Sequence, residues 1–409
     1  MSYFSFFLKN WKVLSFGIFL TIFSGFGQSF FFGIFNPDIR AAFDISQAEF
    51  GRFYATATFC SGVLLFFFGG KIDHVPVKRF TLLACTGFLV GCALWVVSPT
   101  LLPFFIGLFL LRCIGQGIFP HIAKVFTARA FTKGRGKGMS VVLLGHPLGE
   151  AVLPIIFLGL ATLFGWRDIF ILVGLSVLFI LIPMTIFVLN RHNDLDKNVT
   201  ALNTSPADLV ESKHVKELLK DWRFIAIIAT SLVLPFVGTS IFLFPDFFIM
   251  GRGFSIELFA SSFVISASTK FLSSLVAGAW IDKISARVLL PIFLIPMVIG
   301  MSLFLIIDHW VMLPILFATI GMTDGPSAPI INSYWPETYG TKFVGSIKAF
   351  HTSMMIFSTA LAPLTIGFLI DQQMNSGVLL GAFAAFGVVG CLFALMVQRK
   401  AKGTTEKVS

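Results

Sequence analysis

Charge is what this 409-residue chain lacks: 12% of its residues are Asp, Glu, Lys or Arg, against 56% hydrophobic. Soluble domains carry roughly 25% charged residues, so an ordinary water-facing globule of this size is excluded. Cysteine is scarce as well. Cys60, Cys85, Cys92, Cys113 and Cys391 lie inside apolar segments, without the spacing of a metal site or a disulfide framework. No Gly-rich loop ends in Lys-Ser/Thr, so the chain offers no nucleotide-driven motor of its own. The apolar runs do not alternate with polar residues, which excludes a membrane barrel. Neither a cofactor nor catalytic chemistry is indicated, and the expectation is a protein that is not an enzyme.

What is present is apolar and long. Hydrophobic runs recur from Trp11 to Val397, and the chain holds 51 Phe, so lipid is the expected solvent. Segmenting at charges and turn residues predicts spans over 12–36, 47–70, 80–98, 101–123, 138–163 and 168–190. A second set follows over 223–248, 257–280, 288–307, 310–333, 344–369 and 377–397. Most of these supply the roughly 20 residues a helix needs to cross about 30 Å of hydrocarbon. Helices are required because lipid offers no partner to an unpaired backbone group. The expected fold class is an all-α membrane protein with twelve transmembrane helices in two six-helix bundles. The domains are then 1–190, a linker over 191–222, a second bundle over 223–397 and a tail over 398–409. Within the linker, 210–219 reads either as a short interfacial helix or as solvated chain. Pro154, Pro235 and Pro363 fall inside spans and mark kinks rather than ends. The first run is too long for a signal peptide's apolar region and reads as a permanent span.

The formal charge is +10, but the basic residues sit in short loops rather than in one domain, which argues against nucleic-acid binding. Lys9, Lys12, the Lys71–Arg79 loop, the Lys124–Lys137 stretch, Lys283, Arg287, Lys342 and Lys348 fall on one side. Arg40, Arg52, Arg167 and Arg252 fall on the other. The excess of positive charge places both termini in the cytoplasm.

One short basic loop occurs twice, each time after the second span of its half. The first copy runs Gly69-Gly70-Lys71-Ile72-Asp73-His74-Val75-Pro76-Val77-Lys78-Arg79. The second runs Gly278-Ala279-Trp280-Ile281-Asp282-Lys283-Ile284-Ser285-Ala286-Arg287. With twelve spans, these copies resemble the major facilitator superfamily over nearly the whole chain. His74 and Pro76 depart from the family's usual basic residue and glycine. Arg112, Gly115 and Gly117 resemble its arginine-glycine motif in the fourth span. The segments Arg112-Cys-Ile-Gly-Gln-Gly117 and Gly145-His-Pro-Leu-Gly-Glu150 look like a bacterial branch near the monocarboxylate and oxalate/formate porters. The resemblance implies secondary transport by alternating access, a multi-pass protein of the bacterial inner membrane, and a monomer. It also implies a gating role for Asp73, Lys78, Arg79, Asp282, Lys283 and Arg287, against the simpler reading that the basic residues only orient the chain.

Charges within spans point to chemistry, because an isolated ion in hydrocarbon costs on the order of several kcal/mol and needs a partner, water or solute. Arg112 and Glu150 fall at similar depth in spans four and five. Lys270 and Asp324 fall within spans eight and ten. Two cations in one cavity favour an organic anion, and Arg112 can grip a carboxylate bidentately. Glu150 and Asp324 are then the proton-coupling candidates. Pairing of the charges within each bundle is the structural alternative. His146, four residues before Glu150, shares its helix face. His146, His351 and Gln28 complete the substrate-binding candidates, histidine being able to titrate near neutral pH. Three readings follow: carriage of a small organic anion with proton coupling or solute exchange; proton-driven efflux of an amphipathic or cationic compound; and a transporter-derived sensor. The expected partners are a small organic solute, protons and membrane lipids.

Overall fold

The computed structural model describes residues 3–68, 72, 75–131, 134–191, 217–340 and 344–405. The chain forms two compact units, Met1–Asn203 and Thr204–Ser409. All twelve predicted spans contain helix, the ninth being interrupted by turns over 290–294, and no strand occurs among the described residues. By length and composition alone, nine of the described helices suffice to cross a membrane.

In the first unit, span one comprises Tyr3–Phe23, Ser24–Gly27 and Ser29–Ile34. Spans two and three are Gln47–Phe68 and Val77–Val97. Span four is Leu101–Ala130, span five comprises Arg135–Leu143 and Gly145–Ala161, and span six is Trp166–Asn190. Lipid tails are as apolar as leucine, so helices associate through close packing and hydrogen bonds rather than through the hydrophobic effect. The packing here is aromatic. Trp95 stacks on Phe104 at 4.9 Å between ring centroids and lies 4.3 Å from Phe170 and 5.2 Å from Phe32. Its Nε1 donates to the Phe104 carbonyl at 3.0 Å, so no polar atom of the ring is stranded. Thr21 Oγ1 ties span one to span five by donating to the Val142 carbonyl at 2.7 Å.

In the second unit, spans seven to twelve are Trp222–Leu243, Ile256–Ile284, the pair Ala286–Leu289 and Ile295–Ile306, Met312–Tyr339, Val344–Asp371 and Ser376–Thr405. Hydroxyls staple its helices. Thr230 Oγ1 donates to the Gly390 carbonyl at 3.0 Å and Ser358 Oγ to the Leu232 carbonyl at 3.0 Å. Thr323 Oγ1 accepts from the Met297 amide at 3.0 Å. Interhelical bonds of this kind contribute about 0.6 kcal/mol each in membranes. Pro154, Pro235 and Pro363 all lie inside continuous helices, as expected.

The expected ends need correction in four spans. Span one begins at Tyr3, span four reaches Ala130, span ten reaches Tyr339 and span twelve reaches Thr405. Hydropathy marks where hydrocarbon stops, whereas a helix keeps its internal hydrogen bonds beyond that boundary. The segment read as an outer loop after span one is a helix, Asn36–Phe43, started by Pro37 and Asp38 in its first turn. Of the proposed interfacial helix over 210–219, residues 210–216 lie outside the described residues. Span seven instead begins on a cap: the Asp221 carboxylate accepts the Arg223 amide at 3.0 Å.

Candidate functional site

The first unit contains a helix break beside a buried cation. Span one tightens into a 3-10 turn over Ser24–Gly27, becomes extended at Gln28 (φ −92°, ψ 158°) and restarts at Ser29. Opposite it, Arg112–Ile118 of span four is wound as a π-helix. Such single-turn irregularities inside α-helices recur at functional sites. Two glycines let the distorted segments touch backbone to backbone. A Cβ on Gly27 would lie 2.5 Å from the Gln116 amide nitrogen, and one on Gly115 would lie 2.8 Å from Gly27 Cα.

Arg112 closes this crossing. Its Nη1 donates to the Gly27 carbonyl at 2.7 Å, its Nε donates to Thr58 Oγ1 at 3.1 Å, and its Cζ lies 4.3 Å from the centroid of the Tyr54 ring. Tyr54 and Thr58 are one turn apart on span two and so face the same way. The arginine is 1% exposed. Its desolvation is offset by charge-assisted hydrogen bonds and a cation–π contact, yet all of these partners are neutral. Nη2 has no hydrogen-bond acceptor among the described residues. Gln28 stands partly exposed at the break itself.

The direct Arg112–Glu150 pair left open by the sequence does not form. Glu150, 4% exposed, instead faces His146 on its own helix, with Oε2 4.0 Å from Nδ1. His146 is 35% exposed, so the pair runs from a partly open imidazole to a buried carboxylate.

The second unit solves the same problem with an ion pair. Lys270 Nζ of span eight contacts Asp324 Oδ2 of span ten directly, with both side chains partly exposed. His351 of span eleven lies apart from that pair in its contacts. Its Nε2 is 2.9 Å from Ser231 Oγ of span seven, and its ring packs 5.9 Å from that of Trp335.

Of the gating candidates, Asp73 lies outside the described residues, as does the side chain of Asp282. Lys78 Nζ donates to Asn190 Oδ1 at 2.6 Å, joining the start of span three to the end of span six. Arg79 is exposed. The second loop copy is anchored to the end of span ten by Glu337. Ser285 Oγ donates to Glu337 Oε2 at 2.5 Å, the Ala286 amide donates to Oε1 at 3.2 Å, and Arg287 Nη2 donates to the Glu337 carbonyl. Ser285 stands where the first copy has Pro76, each three residues after its aspartate. Their backbones differ sharply: φ is −51° at Pro76 and +77° at Ser285. A positive φ costs a non-glycine residue about 1–3 kcal/mol, so Ser285 needs the clamp that Glu337 supplies. Lys283 is exposed at the same loop.

The model of the Major Facilitator Superfamily matches residues 17–269 and 253–408. The chain belongs to the Major Facilitator Superfamily. Solved structures of the same fold include a single-site mutant of the nucleoside transporter NupG, 11% identical with a TM-score of 0.74, covering 94% of this chain and 99% of that one. A D-xylose–proton symporter is 16% identical with a TM-score of 0.67, covering 94% and 97%. A bacterial homologue of the human lysosomal transporter Spinster, inward-facing and unoccupied, is 13% identical with a TM-score of 0.67, covering 95% and 96%. No curated protein matches the chain significantly. This superfamily member is therefore a multi-pass membrane transporter rather than an enzyme.

Sequence reasoning did not find Tyr54, Thr58, Ser231, Asn190 or Glu337 as partners of the transporter's polar residues. Only Tyr54 and Thr58 carried a local signal, their i, i+4 spacing on one face of an apolar span. The others meet their partners across large separations in the chain.

Proposed function

We propose that this transporter carries a small organic anion, a carboxylate, by alternating access, coupled to protons or to exchange for another solute. One observation carries the reading: the Arg112 positive charge is held by a carbonyl, a hydroxyl and an aromatic ring, with no carboxylate paired to it among the described residues. A buried cation without a countercharge attracts an anion and repels a cationic cargo, which weighs against efflux of a cationic compound. Arg112 Nη2 and the Gln28 amide are the groups that would receive the carboxylate. In the second unit, a solute carboxylate would compete with Asp324 for Lys270, freeing Asp324 to take a proton.

The His146–Glu150 pair is the proton-coupling group of the first unit. Protonation of His146 creates a charge attraction to Glu150 and protonation of Glu150 removes it, so either event alters how span five sits beside the arginine-bearing crossing. Proton coupling is compatible with the fold, one of the similar structures being a sugar–proton symporter. The gating reading rests on the tether between Arg287, Ser285 and Glu337 and on the Lys78–Asn190 bond, which break and re-form between states. In this reading the protein sits in a bacterial cytoplasmic membrane with both termini inside, as the basic loops require.

Purified protein in liposomes tests this directly. An inward proton gradient or an internal carboxylate pool should drive accumulation of labelled carboxylate. Absence of both uptake and exchange across a panel of carboxylates would refute the reading. Glu150→Gln should suppress gradient-driven uptake while sparing exchange; equal retention of both activities would remove Glu150 from the coupling role.

A further inference from the structure

A second surface of interest lies on the second unit, on the same helices as the Lys270–Asp324 pair. Spans eight and nine diverge over span ten and leave a groove of about 460 Å³. Its lining includes Leu272, Val276 and Trp280 of span eight, Ile292 and Pro296 of span nine, and Met322 of span ten. Span nine is what opens it. After the short helix Ala286–Leu289 the chain runs in turns over 290–294 and resumes as a helix only at Ile295.

The groove is dry in chemical terms. The two hydroxyl residues in its wall are turned back to backbone: Thr269 Oγ1 donates to the Ile265 and Ser266 carbonyls, and Ser273 Oγ to those of Lys270 and Gly321. Both hydroxyl protons are thereby committed and not left to donate to a polar solute. Leu272, Trp280 and Ile292 are 60%, 50% and 45% exposed, so the groove opens outward along helices that lie in lipid.

The apolar stripe also has a charged end. Positions 269, 272, 276 and 280 follow helical spacing along one face of span eight, and Lys283 continues it one turn beyond Trp280. Tryptophan settles at the headgroup level, which places Lys283 among the headgroups. Its neighbour Arg287 is engaged by the Glu337 carbonyl, whereas Lys283 is exposed.

We infer that this groove holds one acyl chain of a membrane phospholipid whose anionic headgroup is bound at Lys283. Apolar walls, a lipid-facing opening and a cation at headgroup depth are the three elements such a ligand needs. Arg112, Lys270 and Asp324 do not line the groove, and lipid bound there would stabilise the interrupted part of span nine.

The full-length protein in nanodiscs, with phosphatidylglycerol or phosphatidylcholine bearing a diazirine on the acyl chain, provides the test. Photolabelling mapped by mass spectrometry should concentrate on 272–280 and 289–296. Val276→Trp, which fills the groove, should lower that labelling about tenfold, equivalent to displacing two methylenes. Val276→Ala, which keeps the helix and widens the groove, should retain it and guards against misfolding of the larger variant. Lys283→Glu should reduce the preference for phosphatidylglycerol about fivefold. Even labelling around the bundle, or labelling untouched by Val276→Trp, overturns the site. Equal labelling by a headgroup-free alkyl diazirine overturns headgroup recognition.

Discussion

The two units each hold a cation inside a span, and they stabilise it in opposite ways. In the first, Arg112 is wrapped by neutral groups and is almost wholly shielded from solvent. In the second, Lys270 contacts Asp324 directly and both remain partly open to solvent. An ion pair is electrically neutral and can be exchanged for another carboxylate. An arginine held by a carbonyl, a hydroxyl and a ring keeps its field, and its planar fork keeps its direction. Under the proposed function, that difference would give attraction of an anion to the first unit and a displaceable contact to the second.

That comparison can be broken experimentally. The largest effect is expected from Arg112→Ala, which should lower the initial rate of anion uptake about 100-fold with membrane insertion intact; near-normal uptake would remove its role. At Lys270–Asp324 the effect should depend on the pairing. Lys270→Ala alone should cost about tenfold in uptake, and adding Asp324→Ala should cost little more, because each residue acts through the other. Additive losses would mean that the pair acts as two independent groups. Gly27→Ala should destabilise the purified protein by about 2 kcal/mol in thermal unfolding, since its Cβ would enter span four's backbone. The smallest change should come from Glu337→Gln, which weakens the clamp on Ser285 by about 1 kcal/mol. It should appear as faster hydrogen exchange at the Ala286 and Arg287 amides, with little change elsewhere.

The spans were legible because each is a local fact: an apolar run of sufficient length, bounded by charge. Span two starts at Gln47 and span eleven at Val344, as the sequence predicts. The His146–Glu150 approach was legible too, since four residues on a helix bring two side chains together whatever surrounds them. Lys270 and Asp324 were recognised as a possible pair because both fall within spans of one bundle, though that does not choose between partners. The helix break at Gln28 left only a faint trace, Gly25 and Gly27 preceding it. Its stability depends on what lies opposite, and neither residue encodes that.

Lipid as solvent, twelve helices, a twofold repeat of one basic loop and the presence of ions at depth were determined by the amino-acid sequence itself. Each follows from the cost of placing backbone or charge in hydrocarbon. Tertiary structure alone decided that Arg112 meets Gly27, Thr58 and Tyr54 instead of Glu150, and that Glu337 clamps the strained loop at Ser285. Hydrogen bonds between residues more than fifty apart in the chain are made by packing, and packing selects among partners that composition and spacing leave equivalent.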